Sequence, residues 1–166
     1  MEVANEQVFL ELLGNNKAQI SRICTVYAQD EDEKKDLFQE VAFNLWKSLP
    51  SFKGNSALST WVYRVTLNTC MQARFKGKRH EATHIRLKSI HFESLKQNDE
   101  DVEKQEKIAQ LYACIRKLND ADKNMVMLSL EDLPYKEIAL VTGLTENHVA
   151  VRMKRVREKL FNCLNK

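Results

Sequence analysis

Four glycines and two prolines are spread through 166 residues, well under the usual share of about 12% for the two together. A β-sandwich, a glycine-rich nucleotide fold or a collagen-like chain needs many more of them. Tight turns depend on glycine's left-handed backbone and on proline's fixed φ. What remains is a chain made mostly of helices. With 43% hydrophobic residues it can bury a true core, as one ordinary domain or two small ones.

Apolar spacing supports helices along most of the chain. Ile20, Ile23, Cys24 and Tyr27 follow the i, i+3, i+4, i+7 rule, after an expected break at Gly14-Asn15-Asn16. A helix is expected from about Asp32 to Leu49, with Phe38, Val41, Ala42, Leu45 and Leu49 as its inner stripe and Pro50 ending it. Carboxylates crowd its first turns, where the helix dipole favours them. Ser56 is placed to cap a following helix that carries Leu58, Trp61, Val62 and Val65 and runs on into 76–79. The pattern fades from 81 to 105, where 96–104 is almost wholly polar and reads as a tether, with a helical turn around 85–95. It restarts with Ile108, Leu111, Tyr112, Ile115 and Leu118, and Asp120 or Asp122 can cap the helix of Met125, Val126, Leu128 and Leu130. The expectation is an all-α chain of two small helical domains, 1–80 and 106–166, joined by a flexible linker over 81–105.

The last sixty residues contain a recognisable arrangement. Pro134 fits the first turn of a short helix from Tyr135 to Val141, Gly143 supplies a turn, Leu144 an apolar plug, and Thr145 caps a final helix from Glu146 to about Leu164. A short helix, a glycine turn and a longer basic helix form the pattern of a helix-turn-helix. At 100° per residue Val149, Met153, Val156 and Leu160 share one face. The other face presents Asn147, His148, Val151, Lys154 and Arg155, flanked by Arg152, Arg157 and Lys159. Such a helix can enter a major groove, with its polar face at base edges and its flanking cations on phosphates.

Net charge is only +3, but its distribution is uneven. No carboxylate stands between Glu40 and Glu81, a stretch that holds Lys47, Lys53, Arg64, Arg74, Lys76, Lys78 and Arg79. Just upstream, Asp30, Glu31, Asp32, Glu33, Asp36 and Glu40 crowd together. Two partner surfaces are implied, one of them suited to a polyanion. Phe52, Trp61, Tyr63 and Phe75 are interleaved with the cations. Rings that stack on exposed bases beside cations that track a backbone suit single-stranded nucleic acid, although Trp61 fits a core position equally well. Lys53-Gly54-Asn55-Ser56 adds small polar groups that could enclose an extruded base.

Two blocks carry a family resemblance. Asp36-Leu37-Phe38-Gln39-Glu40-Val41 with Leu45-Trp46, Phe52-Lys53-Gly54, and Ser59-Thr60-Trp61-Val62-Tyr63-Arg64-Val65 with Asn68 resemble the second region of extracytoplasmic-function sigma factors. These belong to the sigma-70 family of bacterial RNA polymerase initiation factors. Leu133-Pro134-Tyr135-Lys136-Glu137-Ile138-Ala139 and the run from Val149 to Leu160 resemble the family's fourth region. The resemblance covers about 35–75 and 107–164.

It implies partners and roles. Asp36, Gln39 and Glu40 would dock on the clamp helices of the largest subunit of core RNA polymerase. Lys53, Gly54, Asn55 and Ser56 would form the pocket for a flipped base of the −10 element. Trp61, Arg64 and Asn68 would meet the melting junction and the displaced strand, and Arg74 and Lys76, beyond the matching motif, join them on the cation-and-aromatic pattern. Asn147, His148, Val151, Arg152, Lys154 and Arg155 would meet the −35 duplex, Arg152 and Arg155 matching family arginines. The C-terminal unit would also touch the flap of the second-largest subunit, and an anti-sigma protein is common in the family. Ala150 and Val151 stand where relatives often carry a polar or basic residue, so Val151 is a candidate for a thymine methyl. A stand-alone helix-turn-helix regulator and a helical protein–protein adaptor are the competing readings.

Catalysis finds no support. No phosphate-binding glycine loop, H-E-x-x-H or EF-hand loop is present, and no cofactor is implied. His80 and His84 sit at i, i+4 with His91 nearby, but basic neighbours disfavour a dication and no further ligand completes a metal site. Four cysteines more than forty residues apart, with no C-x-x-C, are expected to be reduced, half-buried thiols. The start Met1-Glu2-Val3-Ala4-Asn5-Glu6 lacks the features of a signal peptide, and no apolar run approaches the ~20 residues that span a bilayer. A soluble cytoplasmic protein is expected.

Overall fold

The computed structural model describes residues 2–76 and 102–166. Three helices form the N-terminal unit: α1 (Glu2–Tyr27), α2 (Glu31–Ser48) and α3 (Leu58–Lys76), with a 3₁₀ turn at Leu49–Ser51. Four form the C-terminal unit: α4 (Val102–Arg116), α5 (Asp120–Leu130), α6 (Tyr135–Thr142) and α7 (Glu146–Leu164). No strand occurs among the described residues. His80, His84, His91, Lys78, Arg79 and the expected tether up to 101 lie outside them. The side chains of Phe75 and Lys76, at the end of α3, do too.

α1 is one helix and does not break at Gly14. Phe9, Leu12, Leu13, Ile20, Ile23 and Cys24 are buried in one continuous helical phase on both sides of the glycine. Gly14 sits on the exposed side, where a mid-helix glycine costs about 1 kcal/mol. Each fully buried leucine or isoleucine stabilises by about 1.5–3 kcal/mol, so packing wins. α2 lays Leu37, Phe38, Val41, Ala42 and Leu45 against it, and α3 adds Val62, Leu67 and Cys70. Asp30 caps α2 by accepting from the Glu33 N–H at 2.8 Å, and the Glu33 carboxylate accepts from the Gln29 N–H at 2.7 Å. This reciprocal pair fixes the start of the acidic helix.

Several expected boundaries shift. Ser56 does not cap α3, which begins at Leu58 with the Ala57 carbonyl accepting from the Trp61 N–H. Neither Asp120 nor Asp122 caps α5. Asn119 does, its Oδ1 accepting from the Asp122 N–H at 2.9 Å. Pro134 stands just outside α6, at its cap position. α4 starts at Val102, inside the expected tether, and Met127 is buried where Leu130 was expected. Cys114 and Cys163 form a disulfide, so the expectation of four reduced thiols holds only for Cys24 and Cys70. The ends of α4 and α7 lie side by side and bring the two Cα atoms to 6.0 Å, within bridging reach. Cys24 and Cys70 are buried together, and their mutual hydrogen bond and burial push the Cys70 thiol up, away from reactivity.

The units meet along α1 and α3 on one side and α4, α5 and α6 on the other. Arg22 forks onto Glu131, with Nε to Oε1 and Nη2 to Oε2 both at 2.7 Å. The Glu131 side chain is only 5% exposed. Arg116 Nη2 donates to the Thr25 carbonyl at 3.0 Å, and the Tyr27 hydroxyl donates to Asn124 Oδ1. Thr60 Oγ1 donates to Glu137 at 3.1 Å, and Arg74 Nη1 to Asp120 Oδ1 at 2.5 Å. Lys123 is buried over the Tyr27 ring, 5.5 Å from its centroid. These polar contacts flank a continuous apolar core, since the buried apolar side chains of the two units belong to one cluster, with Tyr27 and Tyr112 packed half-buried against it.

The caps yield a contrast. Thr145→Ala should lower stability by about 1 kcal/mol in urea unfolding, whereas Ser56→Ala should stay within about 0.5 kcal/mol of the parent.

Candidate nucleic-acid interface

Local chemistry builds the helix-turn-helix as expected. The Gly143 N–H returns to the Ala139 carbonyl at 2.9 Å, and its φ of 75° is the left-handed conformation that glycine adopts without strain. Thr145 caps α7, its Oγ1 accepting from the His148 N–H at 3.1 Å. Val149, Met153 and Val156 are buried, and Leu144 and Leu160 pack half-buried against the same core. Asn147, His148, Val151, Lys154 and Arg155 all emerge on the open face. Val151 is 46% exposed, which leaves its methyl groups free for an apolar contact.

Arg152 departs from that group. Its Nε donates to Asp122 Oδ1 at 2.7 Å, and Lys159 Nζ donates to Asp122 Oδ2 at 3.0 Å. Asp122 is buried at the start of α5, so one carboxylate pins two cations of α7, two turns apart. Burial works to raise the Asp122 carboxyl, but the hydrogen bonds and charges of Arg152 and Lys159 outweigh it, and the carboxyl lies below its ordinary value. By sequence alone Asp122 offers itself as a helix cap and not as an anchor between helices. The available signal was its phase: it stands three residues before Met125, on the buried stripe of α5.

In the N-terminal unit Lys53, Gly54, Asn55 and Ser56 are all exposed, and Gly54 takes a φ of 73°. Trp61 is half-buried, with its ring centroid 5.2 Å from that of Phe52. It buttresses the loop and keeps one accessible side. Arg64 and Asn68 are exposed one turn apart on α3 and line a cleft of about 250 Å³ with Met71, Asn124 and Arg152. Arg74 is held by Asp120. The loop at 53–56 and Arg64 of α3 are both exposed, and α3 faces the C-terminal unit across the cleft. On α2, Asp36 and Gln39 are exposed and Glu40 is half-buried.

Among the described residues no group of three or more His, Cys, Asp or Glu side chains could hold a metal ion. No helix there is long and apolar enough to cross a membrane.

Residues 12–80 match the family described as Sigma-70 region 2, and residues 108–160 match Sigma-70, region 4. The chain belongs to the sigma-70 family, in its extracytoplasmic-function group. It is similar to the ECF RNA polymerase sigma-E factor of Escherichia coli K12, at 26% identity over 98% of this chain and 89% of the relative. It is likewise similar to the RNA polymerase sigma-H factor of Pseudomonas aeruginosa, at 26% identity over 83% and 76%. Two solved structures share the fold. CnrH in complex with the cytosolic domain of CnrY has a TM-score of 0.69 at 17% identity, covering 96% of this chain and 89% of that one. The sigma factor RpoE in complex with the anti-sigma factor NepR from Bartonella quintana has 0.65 at 18%, covering 96% of each. The sigma-70 family comprises specificity factors for transcription initiation, and this chain's α1–α3 and α4–α7 are its second and fourth regions.

Because the Asp122 carboxyl is depressed, its stabilisation is present above the ordinary aspartate value near 3.9 and is lost as pH falls through its lower folded value. Asp122→Asn should cost about 1–2 kcal/mol at neutral pH, reduced from a fully buried pair because both cations are partly exposed. The gap to the parent should narrow below about pH 4 in pH-stepped urea unfolding.

Proposed function

We propose that this sigma factor grips a promoter at two places in two states, with α7 on the paired −35 element and the loop at 53–56 with α3 on the melted −10 strand. The observation that carries the reading is the division of exposed cationic and polar groups between a capped groove-sized helix and a loop-plus-helix surface bearing a half-exposed tryptophan. Asn147, His148, Val151, Lys154 and Arg155 then face the duplex. Arg152 serves chiefly to seat α7 on α5, with its remaining N–H groups available to a phosphate.

Lys53, Gly54, Asn55 and Ser56 receive a flipped base, and Trp61, Arg64, Asn68, Arg74 and Lys76 follow the strand. Extruding a base costs a few kcal/mol. Stacking at about 1–3 kcal/mol per base and phosphate neutralisation offset that cost. No nucleotide hydrolysis is needed, which fits a non-catalytic subunit acting in the cytoplasm. Asp36, Gln39 and Glu40 form an acidic face for the clamp helices of core polymerase, and the C-terminal unit reaches the flap. The complexes of CnrH with CnrY and of RpoE with NepR make an anti-sigma partner a natural expectation here as well.

Run-off transcription with core polymerase on a promoter library tests the reading. Start-site choice that depends on this protein is expected, and unchanged transcripts with and without it would refute it. Arg155→Ala should weaken −35 duplex binding by about 1–3 kcal/mol and relax preference at one position. Asp36→Lys with Glu40→Lys should reduce polymerase capture in a pull-down while the full chain's affinity for −35 duplex stays unchanged.

A further inference from the structure

Packing around the Cys114–Cys163 bridge is thin. From Val102 to Ala113 no side chain of α4 is buried, and from Arg157 to Leu164 none of α7 is. Leu111, Tyr112 and Leu160 lie half-buried against the core, while Ile108, Phe161 and Leu164 are exposed. Val149, Met153 and Val156, the buried residues that seat α7, all stand before Arg157. Beyond them α7 is tied by Lys159 to Asp122 and, one turn further on, by the bridge to α4. The bridge joins residues 49 positions apart and encloses α5, α6 and most of α7. A link of that span restricts the unfolded chain and so stabilises what it encloses.

The other cysteine pair is built in the opposite way. Cys24 and Cys70 are free thiols, 0% and 1% exposed, hydrogen-bonded to each other between α1 and α3. Cys114 is buried, but Cys163 is half-exposed near the end of α7. A dissolved thiol can approach the bridge from the Cys163 side and cannot approach the core pair.

We propose that Cys114–Cys163 is a thiol–disulfide exchange site for a dithiol reductant, and that its state sets how firmly α7 is held for the −35 duplex. The second half rests on the assignment of α7 to that duplex. A chain that serves core polymerase works where thiols are kept reduced, and bridges found there usually form and break in use. One thiolate of the reductant attacks Cys163 Sγ. The S–S bond breaks, and its electron pair leaves with Cys114 Sγ, which takes a proton. The second thiolate of the reductant then attacks the mixed disulfide and releases Cys163, which is protonated in turn. Two electrons have passed to the protein, and the reductant departs as its own disulfide. Glutathione disulfide reverses the exchange and leaves as two glutathione thiols. Reduction removes the covalent tie where packing is weakest and touches none of the residues assigned to DNA.

The test uses the full chain, with glutathione disulfide as oxidant and dithiothreitol as reductant. After oxidation, alkylation of the denatured protein and peptide mapping should label Cys24 and Cys70 alone. After treatment of the folded protein with dithiothreitol, all four cysteines should be labelled. Hydrogen exchange should then quicken at 102–113 and 157–164 with α1–α3 unchanged, and the thermal midpoint should fall by about 5 °C or more. Affinity for the upstream duplex of a promoter selected in run-off transcription should fall about threefold or more, as fewer molecules present an ordered α7. Renewed oxidation should restore every value. Cys163→Ser should show the reduced values under both conditions. Four free thiols in glutathione disulfide, a bridge that resists dithiothreitol in the folded protein, or exchange and duplex affinity that do not follow its state overturns the proposal. If no promoter is selected, the functional reading fails and the duplex half fails with it. Thiol mapping and hydrogen exchange judge the exchange site independently of that outcome.

Discussion

One buried carboxylate decides how the reading helix is presented. Asp122 projects from the first turn of α5 and holds Arg152 and Lys159 of α7, so the basic helix is bolted to its support at two points while Val149, Met153 and Val156 seat its apolar side. Without that anchor the first half of α7 would be held by its apolar stripe and the Thr145 cap, with the Cys114–Cys163 bridge near the far end of the helix. On the proposed reading, a helix that places side chains at base edges tolerates little rolling, so an ion pair between neighbouring helices would serve recognition through orientation. The cations of α7 accordingly divide in two: some hold the helix, and others face outward.

Local chemistry was legible in the sequence to the extent that it is local. The Gly143 turn, the Thr145 cap and the apolar stripe of α7 could be read because each depends on residues a few positions apart. The acidic start of α2 was legible for the same reason. Gly14 misled because propensity speaks for a break, and only the in-phase burial of Phe9, Leu12 and Leu13 with Ile20 and Ile23 shows why packing prevails. The cap of α5 was ambiguous because Asn119, Asp120 and Asp122 are all competent acceptors, and the chain's path chose the first.

Other features depend on contacts that no spacing encodes. The Cys114–Cys163 bridge joins residues 49 positions apart, whose meeting follows from how α4 and α7 pack. Arg22 and Glu131 are separated by 109 positions, and in the sequence each is an ordinary surface charge. The sequence shows two candidate surfaces but not the pairings within them. By sequence Arg152 is a flanking cation of α7, and it is tied to Asp122; Arg74 stands in a carboxylate-free stretch, and it is tied to Asp120. A cationic residue marks a place where an anion is met, and the sequence does not say whether that anion is DNA or the protein's own carboxylate.

In the proposed division of labour, paired DNA is read by α7 and melted DNA by the loop at 53–56 with α3. Site-specific photocrosslinking in a promoter complex assembled with core polymerase tests it most directly, using probes on −35 bases and on non-template −10 bases. Crosslinks from −35 bases are expected within 147–155 and from −10 bases within 53–74. Crosslinks from both elements falling on α7, with none on the N-terminal unit, would contradict it.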